Sequence, residues 1–128
     1  MRNLTKDEVE FTVSLEYEDL QVRGNCMCSN DLDYNKQCED ELIDRLNNGD
    51  IQAWCCLTVK AEWEDFKESV YLGGCSFESG LMGSELQKAI EEMAEEHGMY
   101  DDALNDLNAE IRLAIERSKS IEARLTSK

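Results

Sequence analysis

An alternating pattern near the start of the chain constrains the fold more than any other feature of the sequence. Between residues 8 and 17, apolar side chains occupy every second position and polar ones lie between them. Successive side chains of a strand point to opposite faces, so this pattern predicts a strand with one buried and one solvated face. Residues 20–22 predict a short second strand. The apolar set consists of Val9, Phe11, Val13, Leu15 and Tyr17.

A second alternating region lies in the middle of the chain and predicts a β-hairpin. Residues 51–63 alternate again, and residues 66–72 follow across the polar pair Glu64-Asp65. Two alternating runs joined by a short polar turn are typical of a hairpin. Gly73-Gly74 then ends the second strand or introduces a bulge. One face of the first strand carries Ala53, Cys55, Leu57, Val59, Ala61 and Trp63.

Residues 32–47 predict the first of three helices. Asn30 or Asp31 is suited to the N-cap, where a side-chain oxygen accepts a hydrogen bond from the first turn. Asn48-Gly49 is a typical helix stop. The predicted apolar stripe consists of Cys38, Leu42 and Leu46, with Ile43 beside it.

The last third of the chain predicts two further helices. Ser84 and Gln87 have the spacing of a capping box, and the helix that they begin stops at Gly98. A longer helix is predicted from about residue 100 to residue 125. Its apolar stripe approaches heptad spacing, which is typical of packing against a sheet or of a coiled-coil dimer. The stripe consists of Leu104, Leu107, Ile111, Ala114, Ile121 and Leu125.

The predicted elements follow one another in the order β-β-α-β-β-α-α. Short turns between neighbouring strands favour an antiparallel sheet of about four strands with the helices packed on one face, which is an α+β fold. The sequence contains no proline and no linker-like stretch. Residues 1–128 are therefore predicted to form a single domain.

The charge of the chain limits its partners. Twenty-nine acidic residues against 13 basic ones give a formal net charge of −16. Such a field repels phosphates and anionic membranes and attracts basic protein surfaces, so neither direct nucleic-acid binding nor membrane binding is expected. No apolar run approaches the ~20 residues that span a bilayer, and no secretory signal is recognisable, so a cytoplasmic location is expected.

Six cysteines raise the questions of disulfides and zinc. Without an export signal the thiols are expected to be reduced. One C-x-C, one C-C, two single cysteines and one histidine fit the spacing of structural zinc sites poorly. Most of the cysteines are therefore expected to be small buried hydrophobic residues, with no metal and no cofactor bound.

No catalytic set is recognisable in the sequence. The glycine pairs lack the lysine of a phosphate-binding loop. Residues 31–42 lack the glycine and the glutamate of a calcium loop. The only histidine, His97, is predicted to be a solvated residue at a helix end. The protein is therefore predicted not to be an enzyme, and a small metal-dependent enzyme that uses the cysteines is kept as a third hypothesis.

Acidic residues are concentrated on the predicted helices. Carboxylates three or four residues apart on a helix are separated by about 5–6 Å, and a row of them approximates the charges of one phosphate strand. Such a row suits a basic protein surface that normally binds nucleic acid, and the alternative is a solvated helix face. The predicted partner-binding residues are Glu91, Glu92, Glu95, Glu96, Asp101, Asp102, Glu39, Asp40 and Asp44.

Part of the chain resembles a group of small bacteriophage proteins of unknown function. The resemblance covers roughly residues 7–80 and is carried by VRGNCMCS at residues 22–29, ELI at 41–43, GDIQAW at 49–54 and YLGGCS at 71–76. It implies a phage origin and a place in the host cytoplasm. Short acidic phage proteins often inhibit host defence proteins, including restriction and CRISPR complexes, so the resemblance favours an inhibitor.

Two hypotheses of different classes follow from the sequence. The first is a non-enzymatic, phage-encoded inhibitor that binds a basic surface of a host nucleic-acid-binding defence complex and so imitates DNA. The second is a structural or assembly protein, such as a homodimer, that oligomerises through its C-terminal helix and should be disrupted by Ile111→Asp.

Overall fold

The alternating segments pair into a three-stranded antiparallel sheet in the computed structural model, which describes residues 1–26 and 29–127. Within these residues, three helices complete an α+β fold, so the predicted fold class is confirmed. The strands are β1 (Glu10–Tyr17), β2 (Cys55–Trp63) and β3 (Phe66–Cys75). The helices are α1 (Leu32–Asn47), α2 (Gly83–Glu96) and α3 (Met99–Thr126), and 3₁₀ turns lie at Lys6–Glu8 and Ile51–Ala53.

The predicted hairpin is confirmed as β2 and β3. The sheet order is β1-β2-β3, and Trp63 pairs with Phe66 across the two-residue connection. Glu64 begins that connection with a φ of 52°, which suits the first position of a tight hairpin turn. On the other side of β2, Val59 pairs with Val13 of β1.

A bulge interrupts the β2–β3 ladder at the glycine pair, as the sequence suggested. Leu57 pairs with Leu72 but Cys55 pairs with Cys75, so β3 contains one extra residue there. Gly74 has a φ of 66°, and a Cβ atom built on it would lie 3.0 Å from the Trp54 ring. Both the backbone angle and the close approach of the indole therefore require glycine at this position.

The fourth strand predicted at residues 20–22 is not confirmed, and no strand lies between β1 and α1 in the described residues. The backbone of Leu20 forms hydrogen bonds with side chains and not with a neighbouring strand. Its N–H donates to the Glu18 carboxylate at 2.9 Å, and its carbonyl accepts from Trp54 Nε1 at 2.7 Å. Local side-chain bonds of this kind compete with strand pairing. The observed order is therefore β-α-β-β-α-α.

The apolar side of the sheet packs against two of the three helices. Helix α2 lies mainly against β1, and α3 lies against β2 and β3. The most deeply buried large side chains are Leu57, Val59 and Leu107, each less than 2% exposed. Helix α1 packs instead on the 3₁₀ turn Ile51–Ala53 and has no fully buried apolar residue, so its predicted stripe is only half-buried.

The helix ends confirm one predicted cap and contradict another. The Asp31 carboxylate accepts from the backbone of Asp33 and Tyr34 at 3.0 and 3.3 Å, as an N-cap does. The predicted capping box at Ser84 is wrong, because α2 begins after Met82 without a side-chain cap. Gln87 instead donates to the Val13 carbonyl at 3.3 Å and so ties α2 to β1.

Candidate interaction surfaces

The first half of α3 is anchored to the rest of the fold. Ala103, Leu107 and Ile111 lie in the core. Asn108 is buried and bonds both backbone groups of Leu4, accepting from its N–H at 2.9 Å and donating to its carbonyl at 3.2 Å. These bonds fix the N-terminal residues against the helix. They also give the buried Asn108 amide a partner for both its oxygen and its nitrogen, as buried polar groups require.

The second half of α3 leaves the body of the protein. Every described residue from 116 to 127, called here the projecting segment, is exposed. Ile121 is 50% exposed and Leu125 is 80% exposed, although both continue the stripe that Leu107 and Ile111 bury. Three helical turns without a covered face indicate that no other part of the described chain packs on them.

Ile111 itself is buried in the core. Ile111→Asp would therefore disrupt the core, so it cannot test oligomerisation separately from folding.

The charge of the chain changes sign along α3. From Arg112 to the C-terminus, five basic residues stand against two acidic ones, whereas residues 1–111 contain eight basic and 27 acidic residues. The chain thus combines an acidic body with a basic C-terminal helix end. This reversal is visible in the sequence, but the whole-chain charge conceals it.

Six of the nine predicted partner-binding residues lie where α2 meets α3. We call this region the acidic corner, and its members are Glu91, Glu92, Glu95, Glu96, Asp101 and Asp102, all exposed. Gly98, with a φ of 64°, makes the turn that brings the two helix ends together.

A shallow concavity of about 520 Å³ lies beside the acidic corner. Glu91, Glu92 and Glu95 line it, together with the cations of Lys6 and Lys88. Its remaining lining is an aromatic pair, Phe11 and Tyr100, whose ring centroids are 5.3 Å apart in an edge-to-face arrangement. Burial, and then the charges of Glu91 and Glu95, raise the pKa of the Tyr100 hydroxyl, so it stays a neutral hydrogen-bonding group at neutral pH.

The acidic corner is poorly neutralised. Among the described residues, Asp101 is its only member in an ion pair, with Lys6 Nζ at 2.7 Å. The last turn of α2 contains no basic residue, so Glu95 and Glu96 face the negative end of the helix dipole. Like charges four residues apart, such as Glu92 and Glu96, cost about 0.2–0.5 kcal/mol per pair. The corner therefore lowers the stability of its own helix.

The three predicted residues on α1 have a different environment. Arg23 forms ion pairs with Glu39 at 3.1 Å and with Asp40. Glu39 also accepts from the Gly24 N–H at 3.2 Å, and its side chain is only 13% exposed. These two carboxylates hold residues 23–24 against α1. Asp44 is exposed, and none of the three lines the concavity beside the acidic corner.

A second cavity, of about 470 Å³, lies past the end of β1 and is absent from the sequence predictions. We call it the Trp54 groove, and it is lined by residues 15–22 with Leu46, Ile51, Trp54 and Cys55. Glu18 shapes it by accepting from the backbone N–H groups of Leu20 and Gly74 at 2.9 and 3.0 Å. No regular sequence pattern marks this groove, because side-chain bonds to an irregular segment create it.

The thiols of the sheet are held in the protonated form. Burial raises the pKa of Cys55 to about 12, and burial also raises the pKa of Cys56 and Cys75. Because the thiolate is the nucleophile and the metal ligand, these groups are poor candidates for either role at neutral pH. Within residues 1–26 and 29–127, no three His, Cys, Asp or Glu side chains are placed to hold a metal ion. Cys28 lies outside the described residues.

None of the helices in the described part of the chain has the length and apolar character needed to cross a membrane.

No protein-family model matches the chain, and no curated protein and no solved structure matches it significantly. The phage resemblance, the inhibitory role and the cytoplasmic location therefore stay predictions.

Proposed function

We propose that the protein is a non-enzymatic, protein-binding inhibitor whose acidic corner occupies a basic surface on a nucleic-acid-binding protein. One observation carries this proposal. Five of the six exposed carboxylates at the corner have no ion pair among the described residues. Residues that break local rules of stability without compensation mark functional surfaces more often than structural ones.

The spacing of the corner supports a partner that normally binds phosphates. Glu91 and Glu95, and likewise Glu92 and Glu96, are one helical turn apart, so each pair places carboxylates about 5–6 Å apart. Asp101 and Asp102 continue the negative charge across the turn at Gly98. A basic groove lined by Arg and Lys would exchange its phosphate contacts for carboxylate contacts of similar geometry. In its narrowest form, the proposal is a phage-encoded inhibitor of a host defence complex.

A charge reversal tests the proposal. The test variant changes Glu91, Glu92, Glu95 and Glu96 to lysine, and the matched control changes four exposed acidic residues outside the corner, Glu10, Glu64, Asp65 and Glu78, to lysine. Both variants have the same net charge. Proteins captured from bacterial lysate at low salt are identified, purified and titrated with a labelled DNA duplex in the presence of each variant.

The proposal predicts that the wild type and the control release the duplex and that the corner variant does not. It also predicts that raising the salt concentration weakens the complex, because exposed charges are screened. Equal competition by both variants would show that net charge, not the corner, is responsible. Capture of proteins that do not bind nucleic acid would contradict the proposal.

A second candidate function is self-assembly through the C-terminal helix. The observation that favours it is the projecting segment, in which Ile121 and Leu125 expose apolar surface that no described residue covers. A helix end of this length is marginal in water without packing. Self-assembly predicts that the mass measured by sedimentation rises with protein concentration.

A further inference from the structure

We infer that the projecting segment of one copy docks into the Trp54 groove of a second copy. The inference rests on the second candidate function, self-assembly, and identifies the surface that receives the helix. It is independent of the acidic corner.

The two surfaces match in their apolar content. Ile121 and Leu125 are four residues apart, so they lie on the same face of the helix, one turn from each other. The groove has a buried Trp54 beside Leu20 and the 72% exposed Ile51. The volume of about 470 Å³ lies within the range of about 300–1,000 Å³ that protein pockets offer to ligands. It therefore has room for apolar side chains of a docked helix.

The two surfaces also match in charge. Glu16, Glu18 and Asp19 line the groove. None of the ion pairs found among the described residues involves these three carboxylates. The projecting segment supplies the cations that the groove lacks. They are Arg117, Lys119 and Arg124, which outnumber the two acidic residues of the segment, Glu116 and Glu122. Complementary charge around an apolar contact fixes which partner binds and in which orientation.

The segment does not occupy the groove of its own chain, because every described residue from 116 to 127 is exposed. Helix α3 leaves the body beside the N-terminus, where Arg112 donates to the Asn3 side chain at 2.7 Å. The N-terminal residues precede β1, whereas the groove begins at the other end of that strand. Residues 10–14 of β1 lie between the two sites, which is about 17 Å of strand. Both surfaces are therefore open to a second copy.

Reciprocal docking gives a closed assembly. If each copy places its segment in the groove of the other, the dimer contains two identical contacts related by a two-fold axis. Both exposed apolar surfaces are then covered, and no free segment remains to extend the assembly.

Sedimentation of four single variants of the full chain tests the inference. Leu125→Asp alters the segment and Ile51→Asp alters the groove, and both positions are exposed in the single chain, so folding should tolerate the changes. Each variant is expected to raise the dimer dissociation constant more than about tenfold, which corresponds to 1.4 kcal/mol. The matched controls, Ser120→Asp on the segment and Leu32→Asp on α1, should dimerise like the wild type. Circular dichroism of each variant confirms that the fold is retained.

Mixing the two disruptive variants separates groove docking from helix–helix pairing. A copy with an intact segment and a copy with an intact groove can form one of the two contacts, so the mixture should associate more strongly than either variant alone. Pairing of two α3 helices would give no such recovery.

Two results would overturn the inference in different ways. A wild-type protein that stays monomeric at every concentration would remove both self-assembly and groove docking. A wild type that associates, is disrupted by Leu125→Asp and is unaffected by Ile51→Asp would keep self-assembly and reject the groove.

Discussion

The two halves of α3 share one apolar periodicity but have opposite environments. Leu107 and Ile111 are buried against the sheet, whereas Ile121 and Leu125, further along the same stripe, are exposed. The charge differs as well. Residues 99–115 of the helix contain four acidic residues and one basic residue, whereas the projecting segment contains three basic residues and two acidic ones. Helical periodicity therefore identifies an apolar face suited to burial. It does not specify whether another part of the same chain or a second molecule covers that face.

The body and the projecting segment also differ in the ion pairs that their charged residues form. Arg23 compensates carboxylates on α1, and Lys6 compensates one at the acidic corner. The other corner residues form no ion pair among the described residues, although Lys6 and Lys88 lie beside them. The projecting segment adds three basic and two acidic residues, none of which is in an ion pair among the described residues. The −16 total is therefore distributed unevenly, with 27 of the 29 acidic residues in residues 1–111.

The largest predicted effect comes from truncating the same residue type in each half of α3. Leu107→Ala should lower the free energy of unfolding by about 2–5 kcal/mol, because it leaves a cavity in the core. Leu125→Ala should change it by less than about 0.5 kcal/mol in the monomer. Urea unfolding at low protein concentration measures both values. Similar losses for the two variants would contradict the division of the helix.

Substitution of two asparagines on α3 tests how the first half of the helix is anchored. Asn108→Ala should cost about 1–3 kcal/mol, because the backbone of Leu4 loses both of its partners in a partly buried position. The exposed Asn105→Ala serves as the control and should cost less than about 0.5 kcal/mol. Thermal unfolding of the pair gives the comparison. An unaltered stability of Asn108→Ala would show that the N-terminal residues are not held by this amide.

A smaller effect separates stability from function at the acidic corner. Glu96→Lys should raise the free energy of unfolding by about 0.3–1 kcal/mol, because it places a cation at the negative end of α2. Glu85→Lys, in the first turn of the same helix, should lower it by a similar amount. Urea unfolding of both variants tests the sign. If Glu96→Lys is destabilising, the corner has favourable contacts that this account omits.

The smallest effect concerns the N-terminal residues that meet α3. Arg2 bonds the Glu8 carboxylate through two contacts of 2.7 Å, and this hydrogen bonding lowers the pKa of Glu8 to about 2. The stabilisation is present above the ordinary pKa of a glutamate and is lost as the pH falls toward 2. Arg2→Ala should raise the pKa, measured by NMR titration, although the Thr5 N–H still donates to the carboxylate. Arg117→Ala should leave it unchanged.

Local patterns predicted most of the fold. The alternation in β1 and β2, the Asp31 cap and the Gly49 stop depend on neighbours in the sequence, and most of the elements and their order followed from them. The exceptions are the fourth strand and the start of the hairpin, where a 3₁₀ turn occupies Ile51–Ala53 and β2 begins only at Cys55. The fourth strand was wrong because Glu18 and Trp54, distant in sequence from one another, bind the backbone of Leu20. The Trp54 groove was missed for the same reason.

The candidate surfaces were predictable only in part. The exposure of the acidic corner followed from helical spacing, but the ion pairs of Glu39 and Asp40 with Arg23 depend on a loop that no pattern placed. The division of the α3 stripe into a buried half and an exposed half was not predicted, because burial depends on where the sheet ends. The change in charge after Ile111 was the one available signal.

Hydrogen exchange along α3, measured at low and at high protein concentration, distinguishes the buried half of the helix from the projecting segment. We expect strong protection of the amides of Leu107 and Ile111 at both concentrations. We expect the amides of residues 116–127 to exchange rapidly at low concentration and to become protected at high concentration, as a second copy covers them. Rapid exchange of these residues at every concentration would contradict docking between copies, and strong protection at low concentration would contradict the division of α3 itself.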